Sequence, residues 1–230
     1  MIDPDGGFEP PVNPIPPAII LLTLAIVLVE GALSLAEAGV VGGPRGLGWR
    51  LAALQDYGFS PAVLDWMITR SDYTLDLLRR FVTYPFVHGS FTQALFAGAL
   101  LLALGKFVGD VFRTPATLVL FFGSTIGGAL VFGLIASGTS PLFSAFTPIY
   151  GLIGAYTYVV WLSLGQSGQN QLKAFQLIGF LLGIQLVFGL IFGAGQMWIA
   201  ELSGFVIGFG LSVLLAPGGW SALLAKLRQR

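Results

Sequence analysis

The chain has 230 residues, of which 55% are hydrophobic and 10% are charged, and its mean hydropathy is +0.85. Soluble domains carry about 25% charged residues, so this composition excludes an ordinary soluble protein and indicates a polytopic membrane protein. A formal net charge of zero gives no support for nucleic-acid binding, and the lack of cysteine excludes disulfides and thiolate chemistry. One histidine without cysteine is a poor set of metal ligands, so we expect neither a metal nor another cofactor.

Composition divides the chain into three parts. Residues 1–16 are acidic and rich in proline and glycine, which predicts a flexible arm that buries no core. Residues 17–216 alternate long apolar segments with short connections and predict one membrane domain. Residues 217–230 carry Lys226, Arg228 and Arg230 and predict a short basic tail.

Six apolar segments are long enough to cross a bilayer, because about 20 helical residues span roughly 30 Å of hydrocarbon. They are 17–36, 84–105, 114–136, 146–164, 175–193 and 197–216. The first loop, about 37–83, has apolar residues at helix-like spacing and predicts short amphipathic helices at the membrane interface. The fold class is therefore an all-α, six-span membrane bundle.

One carboxylate, Glu30, falls inside the first predicted span. A charged group at that depth is costly and indicates function by default. The alternative is that Glu30 lies near the interface, where it is hydrated or protonated.

Basic residues in the short loops predict the orientation. Lys106 and Arg113 follow the second span, and Lys173 follows the fourth. The loops after the third and fifth spans have none. We therefore expect both termini in the cytoplasm and the long first loop on the outer side.

The segment 143–155 carries the most specific motif. Its ending, Tyr150-Gly151-Leu152-Ile153-Gly154-Ala155, closely resembles the nucleophile helix of rhomboid intramembrane serine proteases. That helix reads roughly Gly-x-Ser-Gly-x-x-Phe/Tyr-Gly-Leu-x-Gly-Ala. Aligned on the shared ending, Phe146 stands at the position of the catalytic serine and Thr147 at the position of the next glycine.

Two further segments carry the same resemblance in the same order. The sixth span, from Ala200, resembles the family pattern Ala-His-x-Gly-Gly-x-x-x-Gly, with Glu201 in place of the histidine and glycines at 204 and 208. The second span resembles Phe-x-His-x-x-x-x-His-x-x-x-Asn. There His88 matches the first histidine, Gln93 replaces the second and Ala97 replaces the asparagine. The Trp49-Arg50 pair in the first loop also looks like a family feature.

The resemblance implies a rhomboid fold whose reaction centre has changed. Rhomboids use a serine on the fourth span, a histidine on the sixth and oxyanion donors on the second, because a hydroxyl needs a base within reach to become a nucleophile. Here the nucleophile, base and oxyanion positions are Phe146, Glu201, Gln93 and Ala97. We expect a pseudoprotease without catalytic residues.

The changed residues predict a cavity instead of a catalytic site. The pair Thr147-Pro148 is typical of a helix N-cap followed by proline. Phe146 would then fill the former catalytic space, with Tyr150 one turn along. Glu201 would face this cavity, with Tyr150, Thr147, Gln93 or His88 as partners, either as an internal polar cluster or in a binding or proton-linked role. Gly151 and Gly154 would pack closely against Gly204 and Gly208.

Inactive relatives in this superfamily bind transmembrane segments of other proteins, so the resemblance implies recognition, assembly or quality control. The lateral surface around the second and fifth spans would be the physical basis. Two alternatives stay open: a stable accessory subunit of a larger energy-converting membrane complex, and a protease with unorthodox residues such as Ser144 or Ser203. The expected location is a bacterial inner membrane, with lipid and partner helices as contacts.

Overall fold

The computed structural model describes residues 14–139, 141–192 and 195–216. Most of the predicted arm and the whole predicted basic tail lie outside these residues. Within them the chain forms nine α-helices: α1 (Pro17–Glu37), α2 (Trp49–Tyr57), α3 (Pro61–Arg70), α4 (Leu75–Thr83), α5 (Phe91–Val111), α6 (Thr114–Ile135), α7 (Phe146–Gln166), α8 (Gln176–Phe192) and α9 (Met197–Leu215).

The six long helices agree with the predicted six-span bundle. By length and composition, α1, α5, α6 and α9 are each sufficient to cross a membrane. Helix α7, the fourth of the six, has 21 residues, among them three tyrosines and two threonines. It lies at the centre of the bundle, where helices α5, α6 and α9 surround it, and an enclosed helix needs no apolar face for lipid. The fifth, α8, has 17 residues.

The start of the second span differs from the prediction. The sequence indicated a helix from residue 84, but α5 begins at Phe91. Ser90 caps it, since its hydroxyl accepts a hydrogen bond from the Gln93 backbone N–H at 3.2 Å. Pro85 belongs to a short 3-10 turn, Tyr84–Phe86, that ends before this cap. His88 therefore lies in the connection before α5 and not on the helix.

The first loop folds into short helices, as its apolar spacing predicted. Helices α3 and α4 pack against α6 through a small apolar core of Phe59, Leu64, Phe81, Tyr84 and Phe132. Phe59 and Leu142 exchange backbone hydrogen bonds as an isolated antiparallel bridge. This bridge ties the first loop to the segment that leads into α7.

Candidate functional site

The position that corresponds to the family nucleophile lies in the first turn of α7. Phe146 is the first residue of this helix and is half-buried, and Tyr150, one turn further, is buried. The predicted N-cap at Thr147 is wrong, because Ala145 is the N-cap and Thr147 already belongs to the helix. Pro148 is tolerated there because the first N–H groups of a helix have no intrahelical acceptor.

Ser144, two residues before Phe146, has a left-handed backbone with φ of +80°. In the alignment given above, it stands where the family pattern has its first glycine. Ser144 therefore has a backbone conformation that glycine adopts without strain, although serine carries a Cβ. Its side chain is buried and its Oγ has no hydrogen-bond partner among the described residues.

This conformation gives a first prediction. Ser144→Gly and Ser144→Ala both remove the buried hydroxyl, and only the alanine keeps the Cβ at positive φ. We expect the glycine variant to unfold with a free energy about 1 kcal/mol higher than the alanine variant. Denaturant titration of the detergent-solubilised protein measures the difference. Equal stabilities would show that the backbone at 144 is not strained.

His88, the only histidine of the chain, is fully buried beside this segment. Its Nε2 accepts a hydrogen bond from the Ala145 backbone N–H at 3.4 Å. Burial lowers the pKa of His88 from 6.5 to about 4, so the ring is neutral at physiological pH. A lone pair that already accepts an amide hydrogen bond is not free to take a proton from a nucleophile.

The neutral histidine gives a pH prediction. Between pH 6.5 and about 4 the unfolded chain binds a proton that the folded chain does not, so stability falls as the pH is lowered through this window and is level above it. The loss approaches about 3 kcal/mol at the lower end. Unfolding midpoints across pH 4–8 measure it. In His88→Gln this component of the slope should be absent, and an unchanged slope would contradict the assignment.

The two positions aligned with oxyanion donors, Gln93 and Ala97, are changed in different ways. The Gln93 side-chain oxygen accepts a hydrogen bond from the Gly89 backbone N–H at 2.8 Å and so closes the turn before α5. Ala97 is buried and has no polar side-chain atom. Gln93 thus has a local structural partner and is not joined to Glu201.

Glu201, at the position of the family base, is buried on α9. Its partner is Gln185 of α8, whose amide donates a hydrogen bond to the carboxyl group. Of the residues expected as partners, Tyr150, Thr147, Gln93 and His88, none hydrogen-bonds to Glu201, but Tyr150 lies close enough to interact with it electrostatically. Gln185, a polar residue in the largely apolar helix α8, was the sequence signal for such a contact. Which residue it contacts depends on how α8 and α9 pack against each other.

The other carboxylate in a predicted span, Glu30, is buried and paired and is not hydrated. It is 4% exposed and accepts two hydrogen bonds from Arg50, at 2.9 Å from Nη1 and 2.8 Å from Nη2. Ser34 donates a third hydrogen bond to it, at 2.8 Å. Arg50 also donates to both oxygens of Glu37 and, at 2.9 Å, to the His88 carbonyl. The hydrogen bonds with Glu30 and then Glu37 hold the pKa of Arg50 above its ordinary range.

The glycines of α7 and α9 lie where the two helices make their closest approach. A Cβ added at Gly208 would overlap the carbonyl oxygen of Gly151, and one at Gly154 would overlap that of Phe205. A Cβ at Gly204 would likewise overlap the Thr147 carbonyl. The helices are held at a separation that only glycine permits.

Residues 76–218, more than half of the chain, match the family model described as Rhomboid domain. No curated protein matches the sequence with significance. The match covers α5 to α9, and thus the motif at 146–155, the glycines of α9 and the segment around His88. This protein belongs to the rhomboid family.

Proposed function

We propose that this protein is a non-catalytic member of the rhomboid family that binds transmembrane segments of partner membrane proteins. The observation that carries the proposal is the contrast between α8 and the rest of the bundle. Helix α8 makes few contacts with the other long helices, and much of its apolar surface is exposed. Examples are Phe180, Leu186, Leu190 and Ile191, each at least 65% exposed.

A polar contact lies in the middle of this exposed helix. Among the described side chains, Gln185 is the residue of α8 that hydrogen-bonds to another long helix, through Glu201. The Oε1 atom of Gln185 is buried and has no hydrogen-bond partner there. Interhelical hydrogen bonds stabilise helix association in lipid, where packing replaces the hydrophobic effect. An apolar surface with a buried amide and carboxyl beside it suits a transmembrane helix as its ligand.

The lack of catalysis is supported by the chemistry of the four family positions. Phe146 has no nucleophilic atom and Ala97 has no donor, while Gln93 and Glu201 have the local partners described above. Ser144 is buried, and the lone pair of His88 accepts an amide hydrogen bond. A serine without an available base is a poor nucleophile.

Site-specific photocrosslinking in native membranes tests the proposal. A photoreactive residue at Leu186 or Phe180 should crosslink to a defined membrane protein. The matched control is Val119 on α6, which is also apolar and exposed. Equal crosslinking from all three positions would reject α8 as the binding surface. Gentle purification with native mass determination separates the modes of binding, because a large complex of fixed stoichiometry would indicate a permanent subunit of an energy-converting assembly.

A second test addresses hydrolysis directly. A fluorophosphonate probe labels activated serines covalently, and we expect no labelling of the purified protein. Labelling that is lost in Ser144→Ala or Ser203→Ala, and also in Glu201→Ala, would instead establish a protease with unorthodox residues. Location in a bacterial inner membrane with both termini in the cytoplasm belongs to the same proposal and rests on the loop charges given above.

A further inference from the structure

A groove of about 320 Å³ runs between α1 and α5. Its floor consists of small or buried residues, and exposed apolar side chains form its two walls. We call it the α1/α5 groove and define it by Val27, Gly31, Ala94, Leu95, Gly98 and Leu102.

The groove has the dimensions of a hydrocarbon chain. On α1 it extends from Thr23 to Gly31, which corresponds to about 12 Å of helix. Its volume lies at the small end of the roughly 300–1,000 Å³ range of ligand cavities. A transmembrane helix is about 10 Å wide, so a partner helix would lie across the groove without filling it. A single flexible chain fits inside.

The floor is open because glycines line it. A Cβ built at Gly31 meets no atom within 4 Å, and one at Gly98 meets only the Thr23 methyl at 3.9 Å. Both α1 and α5 are long and apolar enough to span a membrane. Acyl chains of the bilayer therefore surround the groove, and the space between the two helices can hold one of them.

Charged groups of both signs lie at one end of the groove. Glu30 lines the groove. Glu37 lies two helical turns further along α1, its side chain is 44% exposed, and it shares Arg50 with Glu30. The short 3-10 helix Gly43–Gly48 packs on the end of α1 through Gly46 and carries the exposed Arg45. Glu37 is paired with Arg50, but its exposed side can also accept a hydrogen bond from a headgroup ammonium, and the Arg45 guanidinium can pair with the phosphate.

We propose that the α1/α5 groove is a binding site for a zwitterionic phospholipid, with one acyl chain between Gly31 and Gly98 and the headgroup ammonium near Glu37. This site lies between α1 and α5, whereas the surface proposed for partner helices lies on α8. It does not depend on that proposed function.

Native mass spectrometry of the full chain tests the site. The protein is reconstituted in nanodiscs with equal amounts of phosphatidylethanolamine and phosphatidylglycerol, then extracted gently. We expect one retained lipid, with phosphatidylethanolamine about tenfold preferred. Gly31→Leu fills the groove and should lower retention about tenfold. Gly179→Leu is the matched control, because its Cβ also meets open space but lies on α8.

Each arm has a result that overturns part of the proposal. Equal retention in Gly31→Leu and Gly179→Leu would reject the groove as the site, and equal retention of both lipids would reject the headgroup assignment. Glu37→Gln should remove the headgroup preference and keep chain retention. If Gly31→Leu does not fold, Val27→Trp fills the same space from an exposed position. A photoreactive residue at Leu95 that crosslinks to a protein in native membranes and never to lipid would show a helix as the occupant.

Discussion

Arg50→Leu should reduce the free energy of unfolding by about 3–5 kcal/mol, because it leaves the buried carboxylate of Glu30 without its cation. The same change removes the hydrogen bonds from Arg50 to Glu37 and to the His88 carbonyl, so the first loop loses its side-chain hydrogen bonds to α1 and to the start of α5. Denaturant titration in mixed micelles, followed by loss of helical circular dichroism, measures the effect.

The matched control is Arg70→Leu. Arg70 lies on α3 in the same loop and is exposed, with its guanidinium 5.0 Å from the centre of the Trp66 ring. Exposed cation–π contacts contribute about 1 kcal/mol or less. Adding Glu30→Gln to Arg50→Leu should restore part of the stability, since it removes the unpaired buried charge. Similar losses from the Arg50 and Arg70 variants would show that the ion pair does not anchor the loop.

Gly208→Ala should destabilise the bundle by about 3 kcal/mol, the upper part of the range for overpacking. The added methyl group overlaps the carbonyl oxygen of Gly151, which is backbone and has no rotamer to move to. Helices α7 and α9 must separate, and the packing that replaces the hydrophobic effect in lipid is lost along their contact.

Gly210→Ala, two residues along the same helix, provides the control. A Cβ at Gly210 meets no atom within 4 Å, and alanine is favoured over glycine in a helix by about 1 kcal/mol. The two substitutions make the same chemical change and should shift the unfolding midpoint in opposite directions. A shift of the same sign and size in both variants would contradict the close approach at Gly208.

Local sequence patterns account for most of the fold. Runs of about 20 apolar residues predicted the long helices, and helix-like spacing predicted the short helices α2, α3 and α4. The boundary errors arose where two local signals compete. Ser90 is a stronger helix start than the apolar run before it, and Pro148 fits the first turn at more than one position.

The candidate site was only partly readable from the sequence. The motif placed Phe146 and Glu201 at the family positions, because residue identity is enough for that comparison. It did not reveal the positive φ of Ser144 or the role of Gln93 in closing the turn before α5. Backbone strain and side-chain pairing depend on how neighbouring segments pack, and a motif records only which residues are present.

The sequence alone predicted an all-α, six-span membrane protein of the rhomboid family, with Phe146 and Glu201 at the positions aligned with the family's serine and histidine. These properties follow from composition, periodicity and residue identity at aligned positions. The tertiary structure alone decided which charged and polar side chains meet: Glu30 with Arg50, 20 residues away, and Gln185 with Glu201, 16 residues away. A carboxylate in a span must find a partner because water is absent there, but only the packing of the helices fixes which partner is within reach.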